Sequence, residues 1–303
     1  MRIEEKGCIL KKRQLITQSV RAFFCSQDFL EVETPCRIPA PIPETHIDPV
    51  VSGSWFLQPS PEICMKRLLA AGYGNLFQIC KCYREGERGA RHLPEFTILE
   101  WYRRDSDYTN LMTDCENLFV HVAASLEAGM YLSYQQKTLD LHPPWERITV
   151  DEAFRLYASM SLEEAIGTGN FEEILVDEVE PFLGVRKPTF LYDYPLSLAS
   201  LARKKKSNPS LAERFELYLF GMELANGFSE LIDPVEQQMR FAEAAQERLR
   251  WGKPNYPLPE PFLRDLAKMP EAAGIALGLD RMIMILTNAG IIDDVVAFTP
   301  EML

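Results

Sequence analysis

Residues 223 to 230 read Glu-Leu-Ala-Asn-Gly-Phe-Ser-Glu, and the Asn-Gly pair at their centre is the strongest short-range signal for a β-hairpin. A type I′ turn needs positive φ at both central residues, which Asn and Gly supply most readily. With Asn226 and Gly227 as the whole turn, Ala225 faces Phe228, Leu224 faces Ser229 and Glu223 faces Glu230. Directly opposed residues keep their Cβ atoms roughly 4.5–5.5 Å apart, where two like charges repel. A cation would relieve the repulsion. Magnesium, a hard ion that takes carboxylates together with substrate phosphates, is the natural one. The same residues also fit a solvated hairpin edge, or a turn that is not two residues long.

Upstream, Phe77-Gln78-Ile79-Cys80-Lys81-Cys82-Tyr83-Arg84 is rich in β-forming residues and reads as a strand. Alternation puts Phe77, Ile79, Lys81 and Tyr83 on one face and Gln78, Cys80, Cys82 and Arg84 on the other. A charged loop from Glu85 to Glu95 leads into Phe96-Thr97-Ile98-Leu99-Glu100-Trp101-Tyr102, where Phe96, Ile98, Glu100 and Tyr102 share a face. The two segments make an antiparallel pair with Arg84 at the exit of the first strand. Arginine suits phosphate because its planar fork donates two parallel hydrogen bonds and never loses its charge. Glu100 beside Tyr102 could receive an ammonium group, although a surface hairpin with an ordinary salt bridge accounts for the same residues. Near the C-terminus, Gly274 to Gly278 reads as a short Gly-bounded strand and Met282 to Leu286 as a buried helix. Gly278 would let a flat ligand approach the backbone, and Arg281 falls near the start of that helix.

Taken together, these segments resemble the three signature motifs of class II aminoacyl-tRNA synthetases. Phe29-Leu30-Glu31-Val32-Glu33-Thr34-Pro35 is similar to motif 1, Tyr83-Arg84 through Glu100-Trp101-Tyr102 to motif 2, and Gly278-Leu279-Asp280-Arg281 to motif 3. The Glu223 to Glu230 segment and Ser60-Pro61-Glu62 narrow the resemblance to the lysyl branch. Within it the chain is closest to the paralogues that modify elongation factor P, for motif 2 ends Leu99-Glu100-Trp101-Tyr102-Arg103 and Ala276 stands where a synthetase usually has Gly. That Ala is associated with accepting β-lysine.

The resemblance implies an α+β fold: a class II synthetase catalytic domain with a mainly antiparallel sheet flanked by helices. About thirty residues precede motif 1, which leaves no room for an N-terminal anticodon-binding domain, so residues 1–303 are expected to form a single catalytic domain. The implied chemistry is ATP-dependent activation of lysine or (R)-β-lysine as an adenylate, with magnesium, and transfer to a lysine of elongation factor P. A minimal lysyl-tRNA synthetase with a separate tRNA-binding partner, and a non-catalytic paralogue that binds ATP or an amino acid, are the rival readings. Implied ATP contacts are Arg84, Glu85, Gly86, Glu87, Glu223, Leu224, Gly278 and Arg281, with Arg84 on the α-phosphate and Arg281 on the γ-phosphate as the catalytic pair. Implied amino-acid contacts are Ser60, Pro61, Glu62, Glu100, Tyr102, Glu230 and Ala276, with Glu223 and Glu230 as metal ligands. Motif 2 departs from the common pattern, because Gly86 stands in the usual Glu position and Leu93 replaces a frequent Asn. Which of Glu85 and Glu87 meets ATP therefore stays open. The family also implies a homodimer built on motif 1.

At 303 residues with 47% hydrophobic and 25% charged content, the chain has the composition of a globular protein able to bury a sizeable core. No apolar run reaches membrane-spanning length, and Met1 to Lys6 is no signal peptide. Seven Cys without paired spacing point to free thiols in a reducing, cytoplasmic compartment. A net charge of −12 makes tRNA an unfavoured main partner, since neutralising phosphates drives that binding. The densest basic run, Arg203 to Lys206, reads as a solvated loop. Ile16, Val20, Phe23 and Phe24 mark an amphipathic helix whose apolar stripe is a candidate for the two-fold interface. Residues 145 to 210 read as a helical insertion. Asp233-Pro234-Val235-Glu236 opens a helix that stops near Gly252.

Overall fold

A computed structural model describes residues 3–199 and 201–303; Met1 and Arg2, the start of the N-terminal stretch read above, lie outside the described residues. Among the described residues the largest sheet has nine strands. From one edge the order is Leu30–Glu31, Leu76–Tyr83, Glu95–Arg104, Ala272–Gly278, Met222–Ser229, Asn208–Leu219, Thr189–Pro195 and Glu146–Thr149, with Lys204–Lys205 paired onto Asn208–Leu219. The outermost pairing on each side is parallel, and the remainder are antiparallel.

Strand alternation divides this sheet into an apolar face and a working face. Leu99, Trp101, Ala273, Ile275, Leu277, Phe215 and Leu217 are buried in one cluster with residues of the Gly7–Cys25, Tyr108–Ser125 and Leu279–Leu286 helices. Their sequence neighbours Glu100, Tyr102, Gly274, Ala276, Arg214 and Glu216 therefore line the opposite face. The expected amphipathic helix is Gly7–Cys25, but its stripe has another use than the one expected. Ile16, Val20 and Phe24 are fully buried within the chain itself, and Phe24 meets Phe29, Phe77 and Trp101 at ring-centroid distances of 5.1, 4.9 and 5.2 Å. Burial on this scale is what holds the helix to the sheet, so those side chains are not free to cross a two-fold axis.

The hairpin forms, but its turn is not at Asn226-Gly227. Leu219 pairs with Met222, and Phe220 and Gly221 between them carry φ of 56° and 69°, the two positive values that a type I′ turn requires. Gly227 instead lies inside a strand because a side chain there has no room. Its Cβ would come within 2.7 Å of Phe215 Cε1 and 3.0 Å of Ile275 Cβ. Glu223 and Glu230 thus belong to one extended segment about 20 Å apart, not to two facing strands. Leu217 pairs with Ala225 and Tyr218 with Glu223, so Leu224 is an extra residue in its strand. That bulge turns Glu223 onto the working face with Asn226.

Residues 145–210 also differ from the expected helical insertion. Short helices run through Val150–Tyr157, Leu162–Thr168 and Phe171–Ile174, but sheet strands Glu146–Thr149 and Thr189–Pro195 frame them. The Arg203 to Lys206 run is not a free solvated loop. Arg203 pairs with Glu213 and Glu271, Lys204 with Glu236, Lys205 with Asp193 and Lys206 with Glu271. Asp233 caps the Pro234–Arg250 helix as expected, accepting from the amides of Val235 and Glu236. Among the described residues no helix is long and apolar enough to cross a membrane.

Candidate functional site

Cross-strand pairing sets out the working face in rows. One row runs Gln78, Glu100, Ala276, Asn226 and Glu216. The next runs Leu76, Tyr102, Gly274, Phe228 and Arg214, and on the other side lie Cys80, Ile98 and Gly278. Glu100, Arg214 and Glu216 come from strands far apart in sequence, and the register brings them onto one face.

One end is acidic and closed. Ser60 Oγ donates to Glu100 Oε2 at 2.8 Å, and Tyr102 Oη donates to Glu100 Oε1 at 2.6 Å. Ser60 Oγ also accepts from the Glu62 amide at 3.1 Å, so it joins the start of the Glu62–Ala70 helix to the sheet. One turn on, Lys66 stands 2.5 Å from both Glu62 Oε1 and Glu230 Oε2, and lies over the Phe228 ring at 5.0 Å. Glu230 Oε1 has no donor. Gly274 is required here: a Cβ would fall 2.2 Å from Tyr102 Cε1 and 2.5 Å from Glu230 Oε1. Gly278 lines the open cleft, and a Cβ there would meet nothing nearer than Arg281 at 3.6 Å.

Three carboxylates share one ammonium in this end, and their acidity reflects it. Burial pushes Glu100 up to about 8, with the like charge of Glu62 adding to the rise. Burial likewise pushes Glu230 up to about 8, against the lowering pull of Lys66. Burial would lower Lys66, but Glu230 and Glu62 outweigh it and hold the ammonium charged. Between about pH 4.3, the ordinary Glu value, and about 8, the folded protein therefore holds more protons at Glu100 and Glu230 than the unfolded chain. Its stability falls as pH rises through that window. A bound ammonium reverses the balance, because it favours the ionised carboxylates. The thermal shift produced by lysine should accordingly be larger at pH 8.5 than at pH 6, with protons released on binding. A lysine-induced shift that did not change with pH would remove these carboxyls from the site.

The other end is a cleft of about 200 Å³ lined by Arg84, Glu87, His92, Glu223, Gly278 and Arg281 among others. Arg281 is held in place by the carbonyls of Glu223 at 2.7 Å and Arg91 at 3.2 Å and by the His92 ring. Arg84 stacks over Phe96 at 5.0 Å and lies 3.6 Å from Glu87, with its Nε unpartnered. Glu87, not Glu85, lines the cleft; Gly86, at φ +75°, turns the chain between them. Asp280, fully buried, accepts from the Thr97 amide and from Arg13, each at 2.6 Å, so the Leu279–Leu286 helix is tied to the sheet just before Arg281.

At the cleft, Glu223 forms a second carboxylate pair with Glu216. Burial raises Glu223, and the charge of Glu216 raises it further against Arg281. Glu216 accepts from Arg214 at 2.6 Å, Asn226 at 3.1 Å and Tyr218 at 2.6 Å. The mutual repulsion expected between Glu223 and Glu230 thus exists between Glu223 and Glu216 instead. Among the described residues no group of three or more His, Cys, Asp or Glu could hold a metal by itself. Glu223, which lines the arginine-lined cleft, and Glu216 are the two carboxylates that could hold magnesium there, an ion that takes carboxylates together with substrate phosphates.

These motif 2 and motif 3 residues, gathered on one mostly antiparallel sheet, have a known counterpart. The family of class II tRNA synthetases (D, K and N) matches residues 1–302. This chain belongs to it. Among curated proteins, this chain is 39% identical over 310 residues to the elongation factor P–(R)-β-lysine ligase of Salmonella typhi, covering 96% of this chain and 95% of that one. It is 40% identical over 311 residues to the protein of the same name from Proteus mirabilis, covering 96% and 94%.

The fold brings together most of the residues singled out from sequence, at two ends of one face. Ser60, Glu62, Glu100, Tyr102 and Glu230 meet at the closed end. Arg84, Glu87, Glu223, Leu224, Ala276, Gly278 and Arg281 line the cleft. Pro61 ends the segment before the Glu62–Ala70 helix. Lys66, Gly274, Asn226 and Glu216 are the additions. Lys66 could have been found as the i+4 partner of Glu62 on one helix face; the register that recruits the other three has no local signal.

Proposed function

We propose that this protein activates lysine or (R)-β-lysine with ATP as an aminoacyl-adenylate and transfers it to a lysine side chain of elongation factor P. One observation carries the reading: a single sheet face holds a closed acidic end, where Glu62, Glu100 and Glu230 share one ammonium, and an open arginine-lined end. A substrate with an ammonium at one tip and a carboxylate at the other fits that polarity. The names of the relatives from Salmonella typhi and Proteus mirabilis supply the acceptor and the β-isomer.

In this reading the substrate ammonium enters at Glu230 and Glu100 and its carboxylate points along the face toward Arg84. A carboxylate oxygen attacks the α-phosphorus of ATP, and pyrophosphate leaves. Arg84 offsets the charge that develops on the phosphate, while Arg281, anchored by two carbonyls, holds the outer phosphates in line. Glu223 and Glu216, in place of Glu223 and Glu230, would hold magnesium, whose contribution is to neutralise phosphate charge. The acceptor amine then attacks the activated carbonyl and expels AMP, forming an amide. No side chain acts as a nucleophile.

A homodimer and a cytoplasmic setting belong to the same reading, with the dimer contacts outside Ile16, Val20 and Phe24. The pairing of every cation from Arg203 to Lys206 with a carboxylate supports a protein acceptor over tRNA. The test is mass spectrometry of elongation factor P incubated with this protein, ATP and either lysine isomer. A mass increase of one lysyl residue is expected, and an unmodified factor beside charged lysine tRNA would favour the minimal synthetase.

Ala276 sets the isomer preference in this account. Its methyl group faces the cleft, between Glu100 and Asn226, at the level where the two isomers carry their second amine differently. Steric discrimination by one methyl is worth about 1–3 kcal/mol, roughly 10–200-fold. Ala276→Gly should shift adenylate formation toward α-lysine by that order; an unchanged ratio of rates would make Ala276 packing alone.

A further inference from the structure

Gln78 has no role in the chemistry above, yet it lies on the floor of the site. It is 2% exposed, and neither its Nε2 nor its Oε1 has a hydrogen-bond partner. Interiors pair nearly all their polar groups, and an unpartnered buried amide is destabilising where a Leu or Met of similar size would not be. As packing, Gln78 is a poor choice. Its place makes it a good ligand contact.

Gln78 is the direct cross-strand partner of Glu100, so the two side chains rise from the same face of the sheet. They share the row of Ala276 and Asn226. That row lies between the Tyr102–Gly274–Phe228 row, on the side of Glu230, and the Ile98–Gly278 row, on the side of Arg281. A lysine with its ε-ammonium at Glu230 and its carboxylate toward Arg84 crosses this row with the carbons that bear its second amine. Ser60 and Tyr102 already donate to the two oxygens of Glu100, which leaves that amine in need of a further acceptor.

We infer that Gln78 is a specificity-determining residue, its Oε1 accepting a hydrogen bond from the amine on the α- or β-carbon of the substrate. The inference rests on the lysine-activating reading and adds the residue that reads the second amine. Ala276 limits the space at this level and Gln78 supplies the attraction, so the two act on the same choice by different means.

The probe that isolates this contact is 6-aminohexanoate, which keeps the ε-amine, the chain length and the carboxylate but has no second amine. Calorimetry without ATP would compare wild type, Gln78→Leu and Gln78→Glu for α-lysine, β-lysine and 6-aminohexanoate, alongside the melting temperature of each variant. Gln78→Leu should weaken the preferred lysine isomer by roughly 10–100-fold, the usual weight of a hydrogen bond to a charged group. It should leave 6-aminohexanoate unchanged and leave the melting temperature unchanged or raised. Gln78→Glu, which keeps an acceptor, should restore lysine binding. Lysine binding unaffected by Gln78→Leu overturns the inference while leaving the activation reading intact, as does an equal loss for lysine and 6-aminohexanoate with a lower melting temperature. A wild type that binds neither lysine isomer overturns both.

Discussion

Replacing Lys66 with Met should cost about 3–5 kcal/mol of folding stability at pH 8.5, the usual cost of removing one partner from a buried ion pair. Lys66 is 2% exposed and bridges Glu62 and Glu230 at 2.5 Å each, so the variant leaves those carboxylates and Glu100 facing one another with no cation. Met keeps most of the side-chain volume, which separates the charge from the packing. The loss should shrink toward pH 6, because Glu100 and Glu230, already at about 8, then protonate and no longer need an ammonium. Urea unfolding at the two pH values reads this directly. An equal loss at both would mean that Lys66 acts through its contact with the Phe228 ring. Added lysine should recover part of the stability at pH 8.5, its own ε-ammonium standing in for the one removed.

Arg84→Ala should lower adenylate formation by about 10²–10³-fold, as expected for the loss of a preorganised donor to developing charge, with little change in folding stability. Arg84 is held by a stack on Phe96 and a 3.6 Å approach to Glu87, and its Nε is unpartnered. Little of the fold depends on it, and its donors are available to a phosphate. Arg84→Lys keeps the charge but not the fork, and should recover only part of the rate. Single-turnover formation of labelled adenylate measures the effect. A rate within a few-fold of wild type in Arg84→Ala would take this residue out of the reaction.

Much of this site was legible before any coordinates because its strands and helices announce themselves by period and punctuation. The 77–84 and 96–102 segments form the expected antiparallel pair, and Asp233 caps the helix it was expected to cap. The failures have particular causes. Asn226-Gly227 carries a turn signature, but Gly serves equally where a neighbouring strand crowds the backbone, and Phe215 does so here. The true turn, Phe220-Gly221, places an aromatic at positive φ, which no propensity favours. Moving the turn by six residues changed the partner of Glu223 from Glu230 to Glu216, and only the bulge at Leu224 keeps Glu223 on the working face. The strand Thr189–Pro195 had a visible signal, an aromatic run between two prolines, that the surrounding helical pattern concealed. Glu216, Asn226 and Gly274 were hidden because cross-strand register joins residues that sequence spacing cannot relate.

The central claim is that one sheet face, acidic at Glu230 and cationic at Arg84, activates an amino acid with two charged tips. Amino-acid-dependent exchange of pyrophosphate into ATP tests it most directly. The account predicts exchange that requires α-lysine or β-lysine, is not supported by amino acids without an ε-amine, and falls sharply in Glu230→Gln. Exchange that proceeds without lysine, or none with either isomer, would contradict it.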